Sequence, residues 1–471
     1  MMRPLLIGGE WIPSRDIREV YAPYDQTPVG EVAYATAEHI ERVIALQPAA
    51  RAAAARLSTG EKYAILDRLA QLLEAEKETV ARLIAREAAK PLLYARAEVT
   101  RGLITITTGR DLVRTLTGEI LPADIQESLR GRMVLVRREP VGPLLAITPF
   151  NFPLNLVLHK VIPAVVAGCA ITLKPAPQAP LTAFWLAEAL LSAGWPPAAL
   201  SVLLADPPLA ENLVRSPAFR ILSFTGSAAV GWHLQSLAAR KKVLLELGGS
   251  AAVIVHDPPD LEAAARAIAE AAYLYSGQVC ISVQRILVRK SLYQDFVSAY
   301  RVAVESLRGG DPLDEGVHYS SLIDEKAYRR VVAWLTEARA GGAQDLLPVE
   351  MTTDHRLITP VLMAEVPPDS ALAREEAFAP YAEIRPYDTI EEAISQVNAS
   401  SYGLQAGIYT RSERLLKQAW LELEVGGVVH NAPPTLRLDF MPYGGVKGSG
   451  LGREGVKYAV LEYTEPKALL W

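Results

Sequence analysis

Residues 143–174 read PLLAITPFNFPLNLVLHKVIPAVVAGCAITLK, and the alternation inside this stretch decides the fold. PLLAIT and AITLK are short apolar runs of strand length, while the apolar segment 154–168 between them has helical length. The same order continues through a helix at 180–193, LSVLL, a polar helix near 207–216 and RILSF. Strands separated by roughly ten to fifteen helical residues form βαβ units, so a parallel, doubly wound α/β sheet is expected. The segment 154–173 is also long enough to be weighed as a membrane span. His159 and Lys160 lie inside it and Pro163 follows closely, which fits a buried helix and strand better.

Outward from this core, 37–55 and 61–90 carry apolar residues near helical spacing and are expected to pack on the sheet as helices. A second series begins after ELGGS, with AAVIVHD, a helix at 261–275, QRILVRK, a helix at 292–307, ITPVLM and AEIRPYD. The glycine pair at 248–249 allows the chain to turn between two cores, which puts a boundary near 247. RMVLVRREP and the terminal AVLEYTEPKALLW alternate in strand fashion and fit neither sheet. Exposed strands of that kind pair with another subunit, so a homodimer or homotetramer is expected.

Composition narrows the partners. The 471 residues exceed one ordinary core, and half of them are hydrophobic. The net charge of −5 and the lack of a basic block argue against nucleic acid and for a small-molecule ligand. MMRPLLIGGEWIPSR lacks the apolar run and cleavage site of an export signal, so a cytoplasmic location is expected. Two cysteines in a large acidic chain are not a disulfide scaffold, and both are expected reduced. The seven histidines are scattered with no HExxH pattern, so no metal site is expected.

Three residues stand out against this background. Glu246 ends a strongly apolar strand just before two glycines, where a carboxylate is costly to bury without a task or a partner. Asn151 sits between two phenylalanines immediately beyond the first strand, where open α/β sheets hold their ligands. Cys280 in YSGQVCISVQR lies among small and polar residues, whereas a structural cysteine is a small hydrophobe in an apolar run.

The motifs TPFNFP, LKPA, FTGS, ELGGS, GQVC, EEAFAP and MPYGGVKGSGLGREG occur in the order seen in the aldehyde dehydrogenase superfamily, which the chain resembles over nearly its whole length. The resemblance implies two doubly wound parallel-sheet domains with a small β oligomerisation element: a cofactor-binding domain at 1–117 and 140–246, a catalytic domain at 247–447, and oligomerisation strands at 118–139 and 448–471. It also implies NAD(P)-dependent oxidation of an aldehyde to the acid through a Cys280 thiohemiacetal and thioester. A thiolate attacking the carbonyl creates the tetrahedral adduct from which hydride can leave. The Asn151 amide and the Cys280 backbone N–H suit its oxyanion, and Glu246 suits the activation of water on the thioester.

No GxGxxG follows the first strand, and GGVKGSGLG lacks the GK[ST] ending of a phosphate loop, so it is read as a tight turn. By resemblance, the dinucleotide's pyrophosphate lies at the FTGS turn, where Gly226 permits close approach and Ser227 heads a helix. Thr148 and Pro149 follow the first strand, Lys174 resembles the lysine on the adenosine ribose, and Glu376 and Phe378 resemble those holding the nicotinamide ribose and ring. Ala377 and Ala379 replace the more usual residues around them. Pro177 stands where NAD-preferring relatives often have Glu, so NADP is expected to be tolerated alongside NAD.

For the substrate, the resemblance assigns the tunnel wall to Phe152, Asn155, His159, Ile281, Arg437 and Tyr443. An arginine in an apolar tunnel favours a carboxylate or phosphate, although Arg437 suits a surface ion pair with Asp439 or a neighbour equally well. GQVCISVQR is most similar to lactaldehyde and non-phosphorylating glyceraldehyde-3-phosphate type members, which implies a short polar or anionic aldehyde. Val279, where a phosphate-specific member carries arginine, weakens the phosphate assignment. The alternatives are a coenzyme A-acylating dehydrogenase, against which Glu246 argues, a cysteine-dependent esterase or thioesterase, and a non-catalytic scaffold.

Overall fold

In the computed structural model, which describes residues 2–471, Leu144–Ile147 lies inside an eight-stranded sheet. The order across that sheet is Gly450–Leu451, Lys242–Glu246, Ile221–Thr225, Leu144–Ile147, Ile171–Lys174, Leu200–Val202, Leu5–Ile7 and Glu10–Ile12. The five strands from Lys242–Glu246 to Leu200–Val202 are parallel. The chain winds from Leu144–Ile147 towards Leu200–Val202, then returns to build Ile221–Thr225 and Lys242–Glu246 on the other side. The direction of winding therefore reverses beyond Ile147 and Thr225, which is where such sheets open a ligand crevice. The hairpin of Leu5–Ile7 with Glu10–Ile12 and the short strand Gly450–Leu451 add antiparallel pairs at the two edges.

The helix Asn155–Ala167 is buried along its whole length, and its N-terminus has no local cap, because Leu154 offers no side-chain acceptor. Glu98, from the helix Leu92–Thr115, replaces it by accepting the N–H groups of Leu154 at 2.9 Å and Asn155 at 3.0 Å. Glu87 does the same for Leu181 and Thr182, at the start of Leu181–Ser192. These carboxylates satisfy orphan N–H groups and complement the positive end of each helix. Lys90 pairs with Glu98 and keeps that charge from being buried alone.

A second sheet runs Gln344–Asp345, Val361–Ala364, Tyr381–Tyr387, Val283–Arg289, Ala251–Val255, Gln405–Tyr409 and Gly427–His430, parallel except at Gln344–Asp345. Only residues 247–250 separate the end of Lys242–Glu246 from the start of Ala251–Val255. Strand ends of the first sheet therefore face strand beginnings of the second, and the candidate residues converge in that gap.

A third, antiparallel sheet joins Glu119–Pro122, Met133–Pro140 and Thr464–Leu470, in register from Thr464 opposite Pro140 to Leu470 opposite Val134. The expectation of a strand from 459 onwards is corrected at its first half, because Val456–Tyr463 is a helix. Its buried residues Val456, Ala459, Val460 and Tyr463 repeat at helical spacing and pack on the first core, which overrides the local alternation. No helix among the described residues is long and apolar enough to cross a membrane.

Candidate active site

The helix Leu261–Tyr273 ends in an unusual turn: Tyr275, Ser276 and Gly277 have φ of 50°, 56° and 66°. Consecutive non-glycine residues in the left-handed region cost about 1–3 kcal/mol each and persist only where the surroundings over-determine them. Here Tyr275 donates from its hydroxyl to Ala88 O at 2.8 Å, and Ser276 donates to Ser320 O at 2.6 Å while accepting from Ser320 N–H at 2.9 Å. Gln278 is held between Ser321 O and Ile323 N–H. A Cβ at Gly277 would collide with the Ala379 carbonyl, so glycine is required there. The turn aims Cys280 into the gap between the sheets.

Asn151 donates from Nδ2 to Gln278 O at 2.9 Å, which fixes the amide against the cysteine loop. Among the described residues its second N–H has no acceptor, and its Oδ1 is buried without a partner. Glu246 ends its strand in the same gap, 4 % exposed, with both carboxylate oxygens unpartnered. Burial pushes the Glu246 carboxyl well above the usual carboxylate range, and the nearby Glu454 adds to the shift. Burial also pushes the Cys280 thiol up to about 11, against a hydrogen bond from Tyr443 that lowers it. Tyr443 Oη lies 3.0 Å from Cys280 Sγ.

Cys280 stands between two hollows. The larger, of about 410 Å³, is walled by Pro149, Asn151, Gly226, Ser227, Glu246, Glu376 and Phe378, with Cys280 at its end. Its donor set fits a dinucleotide. Ser227 precedes the helix Ala228–Leu237, whose first N–H groups suit an anion, and the hydroxyls of Thr148 and Thr225 are buried without partners. Glu376 is held by Gly249 N–H at 3.1 Å, and burial raises its carboxyl to about 7. Lys174 lies outside this lining with a single long contact to Pro175 O, and burial lowers its amine to about 8. A half-buried lysine with no ion-pair partner among the described residues is suited to ribose hydroxyls or a phosphate.

The smaller hollow, of about 140 Å³, brings together Phe152, Asn155, Ile281, Arg437 and Tyr443, and is walled also by Lys90, Arg101 and Val279. His159 is absent from this wall. It lies behind it, buried and neutral because desolvation lowers its pKa, with Nε2–H directed to Asp439 at 3.0 Å. Of the alternatives for Arg437, Asp439 or a neighbour, the neighbour is its ion-pair partner: Arg437 pairs with Glu454 at 3.3 Å, buried and not at the surface, and Arg101 takes Asp439 at 2.7 Å. Lys160 donates to Glu454 at 3.1 Å and to Ser223 at 3.0 Å. Burial opposes ionisation of Glu454, yet the Lys160 ammonium and the Arg437 guanidinium hold its carboxyl down to about 2.

Lys90, in the link between two helices, Arg101, within the helix Leu92–Thr115, and Glu454, bridged to Tyr443, leave no signal in the sequence because the local pattern around each is unremarkable. Lys160 left a trace, as a cation inside an otherwise apolar helix. The assembled groups can carry out nucleophilic attack on a carbonyl, oxyanion binding and activation of water, beside a cavity sized for part of a dinucleotide.

Comparison with known proteins agrees with this geometry. The sequence profile described as Aldehyde dehydrogenase family matches residues 11–469. A 3-sulfolactaldehyde dehydrogenase of Priestia megaterium is 38% identical over 467 residues, covering 99% of this chain and 97% of its own. The structure of aldehyde dehydrogenase 21 from Physcomitrella patens, in complex with the reaction product succinate, superposes with a TM-score of 0.96 at 34% identity, covering 100% of this chain and 98% of that one. A glyceraldehyde-3-phosphate dehydrogenase from Methanocaldococcus jannaschii, complexed with NADP, gives 0.92 at 34% identity, covering 98% and 100%.

Proposed function

Because the chain belongs to the aldehyde dehydrogenase family, we propose that this NAD(P)-dependent enzyme oxidises a short aldehyde bearing an anionic group, with Cys280 as its nucleophile. The observation that carries the reading is the position of Cys280 between a cavity suited to a dinucleotide and a small pocket that contains Lys90, Arg101 and Arg437. A pocket of about 140 Å³ suits a short chain, and Arg437 Nε is buried there without a partner. An anionic oxygen on the substrate would satisfy it. The relatives' names support this choice, since sulfolactaldehyde, succinate and glyceraldehyde 3-phosphate each carry an anion on a short chain.

In this reading the Cys280 thiolate forms the S–C bond, and the carbonyl electron pair moves to oxygen. The free N–H of Asn151 and the backbone N–H of Cys280 hold that oxyanion. The bound dinucleotide supplies the hydride acceptor. Glu246 then takes a proton from water as the water attacks the thioester, and the C–S pair returns to sulfur. That Glu246 faces the cavity unpartnered supports hydrolysis over transfer to coenzyme A.

Steady-state assays of neutral, carboxylated, sulfonated and phosphorylated short aldehydes, each with NAD and NADP and with Cys280→Ala as control, test the proposal. Anionic aldehydes are expected to lead by at least about tenfold in kcat/KM, the effect of one charge-assisted hydrogen bond. Both cofactors are expected to serve, since Pro177 brings no carboxylate against a 2′-phosphate. Equal rates on neutral aldehydes overturn the substrate class, a large preference for NAD overturns the cofactor reading, and activity in Cys280→Ala overturns the nucleophile. The exposed apolar residues Ile120, Leu469 and Trp471, on and beside the third sheet, support pairing with a second copy, and light scattering that returns the mass of one chain overturns it. A reducing cytoplasmic compartment suits a free thiol nucleophile.

A further inference from the structure

Tyr443 does more than a wall residue needs to do. A phenylalanine would fill the same space, yet the chain places a hydroxyl 3.0 Å from Cys280 Sγ, in the pocket where the sulfur reacts. The phenol has no other hydrogen-bond partner among the described residues, and Tyr443 is only 4 % exposed. Its backbone is locked by reciprocal hydrogen bonds with Glu454, of 3.1 Å and 2.6 Å. Above the ring, the Arg437 guanidinium lies 3.6 Å from the centroid, a cation–π contact that holds the ring in place. Ring, backbone and hydroxyl are therefore fixed relative to one sulfur atom.

Resting on the reading of Cys280 as nucleophile, we propose that the Tyr443 hydroxyl donates a hydrogen bond to the Cys280 sulfur whenever that sulfur is a thiolate, before it attacks and again as it leaves the thioester. A thiolate can only accept, so the phenol must be the donor in both steps. The bond is lost while sulfur is bonded to carbon and returns as the C–S bond breaks with its electron pair passing to sulfur. The proton removed from the attacking water goes to Glu246, and Tyr443 keeps its own. Tyr443 touches a reacting atom in this scheme and is a catalytic residue.

Around the sulfur, Glu376 and Glu246 oppose the thiolate, as does burial, while Arg437 and Tyr443 favour it. Tyr443 itself faces Cys280, Arg437 and Glu246. Removing the hydroxyl therefore shifts the balance at Cys280 towards the neutral thiol.

The test is Tyr443→Phe, which keeps the ring beneath Arg437 and the backbone bridge to Glu454. Alkylation of Cys280 by iodoacetamide is followed against pH without aldehyde or dinucleotide, and peptide mapping separates it from Cys169. The midpoint is expected to rise by about one unit, so that alkylation near neutral pH slows about tenfold, and the rising limb of kcat/KM against pH is expected to move the same way. Thermal unfolding of the variant should match the parent. Superimposable alkylation profiles overturn the proposal even if kcat/KM falls, since the hydroxyl would then be wall only. Aldehyde oxidation surviving in Cys280→Ala overturns the underlying reading instead, so the two failures are distinguishable.

Discussion

The two hollows that meet at Cys280 are built on opposite principles. In the larger, Glu246, Asn151 and Thr225 present buried polar atoms with nothing to bond. In the smaller, each cation already has a carboxylate, Lys90 with Glu98, Arg101 with Asp439 and Arg437 with Glu454, and the Nε of Arg437 is left over among the described residues. Unmet groups cost stability, and they persist where they meet charge or protons that appear only during a reaction. Paired charges hold a cationic surface in a desolvated pocket without the full penalty of an isolated ion. In the proposed function, one hollow serves the chemistry and the other the selection of substrate.

Substitutions can break that contrast, because each side predicts a different kinetic signature. On the chemical side, Glu246→Gln is expected to lower kcat by about 10²–10⁴, the usual weight of a general base, with a burst of reduced nicotinamide ahead of slow turnover. In the proposed mechanism both Glu246 and Cys280 act deprotonated, and both are pushed upwards by burial, so the parent's activity should rise with pH from neutral into the alkaline range. A flat profile over that range contradicts the assignment. Asn151→Ala removes one oxyanion donor and is expected to cost about 10²–10³ in kcat, or about 2.7–4 kcal/mol, with KM nearly unchanged. A change confined to KM would instead move Asn151 to the selective side.

The smallest effect belongs to the pocket. Arg101→Gln is expected to raise KM for anionic aldehydes about 10–100-fold, the loss of a charge-assisted hydrogen bond, and to leave neutral aldehydes unaffected. Equal losses on both classes would show that the arginine serves only to hold Asp439.

Much of the architecture was legible because its signals are local. Leu144–Ile147, Ile171–Lys174 and Ile221–Thr225 are short, largely apolar runs buried almost throughout, as strands covered by helices on both faces must be, and their spacing leaves room for little except helical crossovers. The terminal strand was misjudged over 459–463, where a short apolar segment satisfies both periodicities and packing decided for the helix. The edge hairpin Leu5–Ile7 with Glu10–Ile12 went unread, since strands of three residues carry almost no pattern. The caps from Glu87 and Glu98 could not be seen at all, because they serve helices that begin far along the chain.

The site divides in the same way. Cys280, Asn151 and Glu246 were legible because motifs in a fixed order name residue types, and those types limit the chemistry. What only the tertiary structure decided was the company each one keeps: Glu246 beside Glu454, Tyr443 against the sulfur, Arg101 in the pocket wall, and His159 withdrawn behind it. The physical reason is that reactivity depends on desolvation and on charge within a few ångströms. Both are set by groups from distant parts of the chain, and neither leaves a trace in the local order of residues.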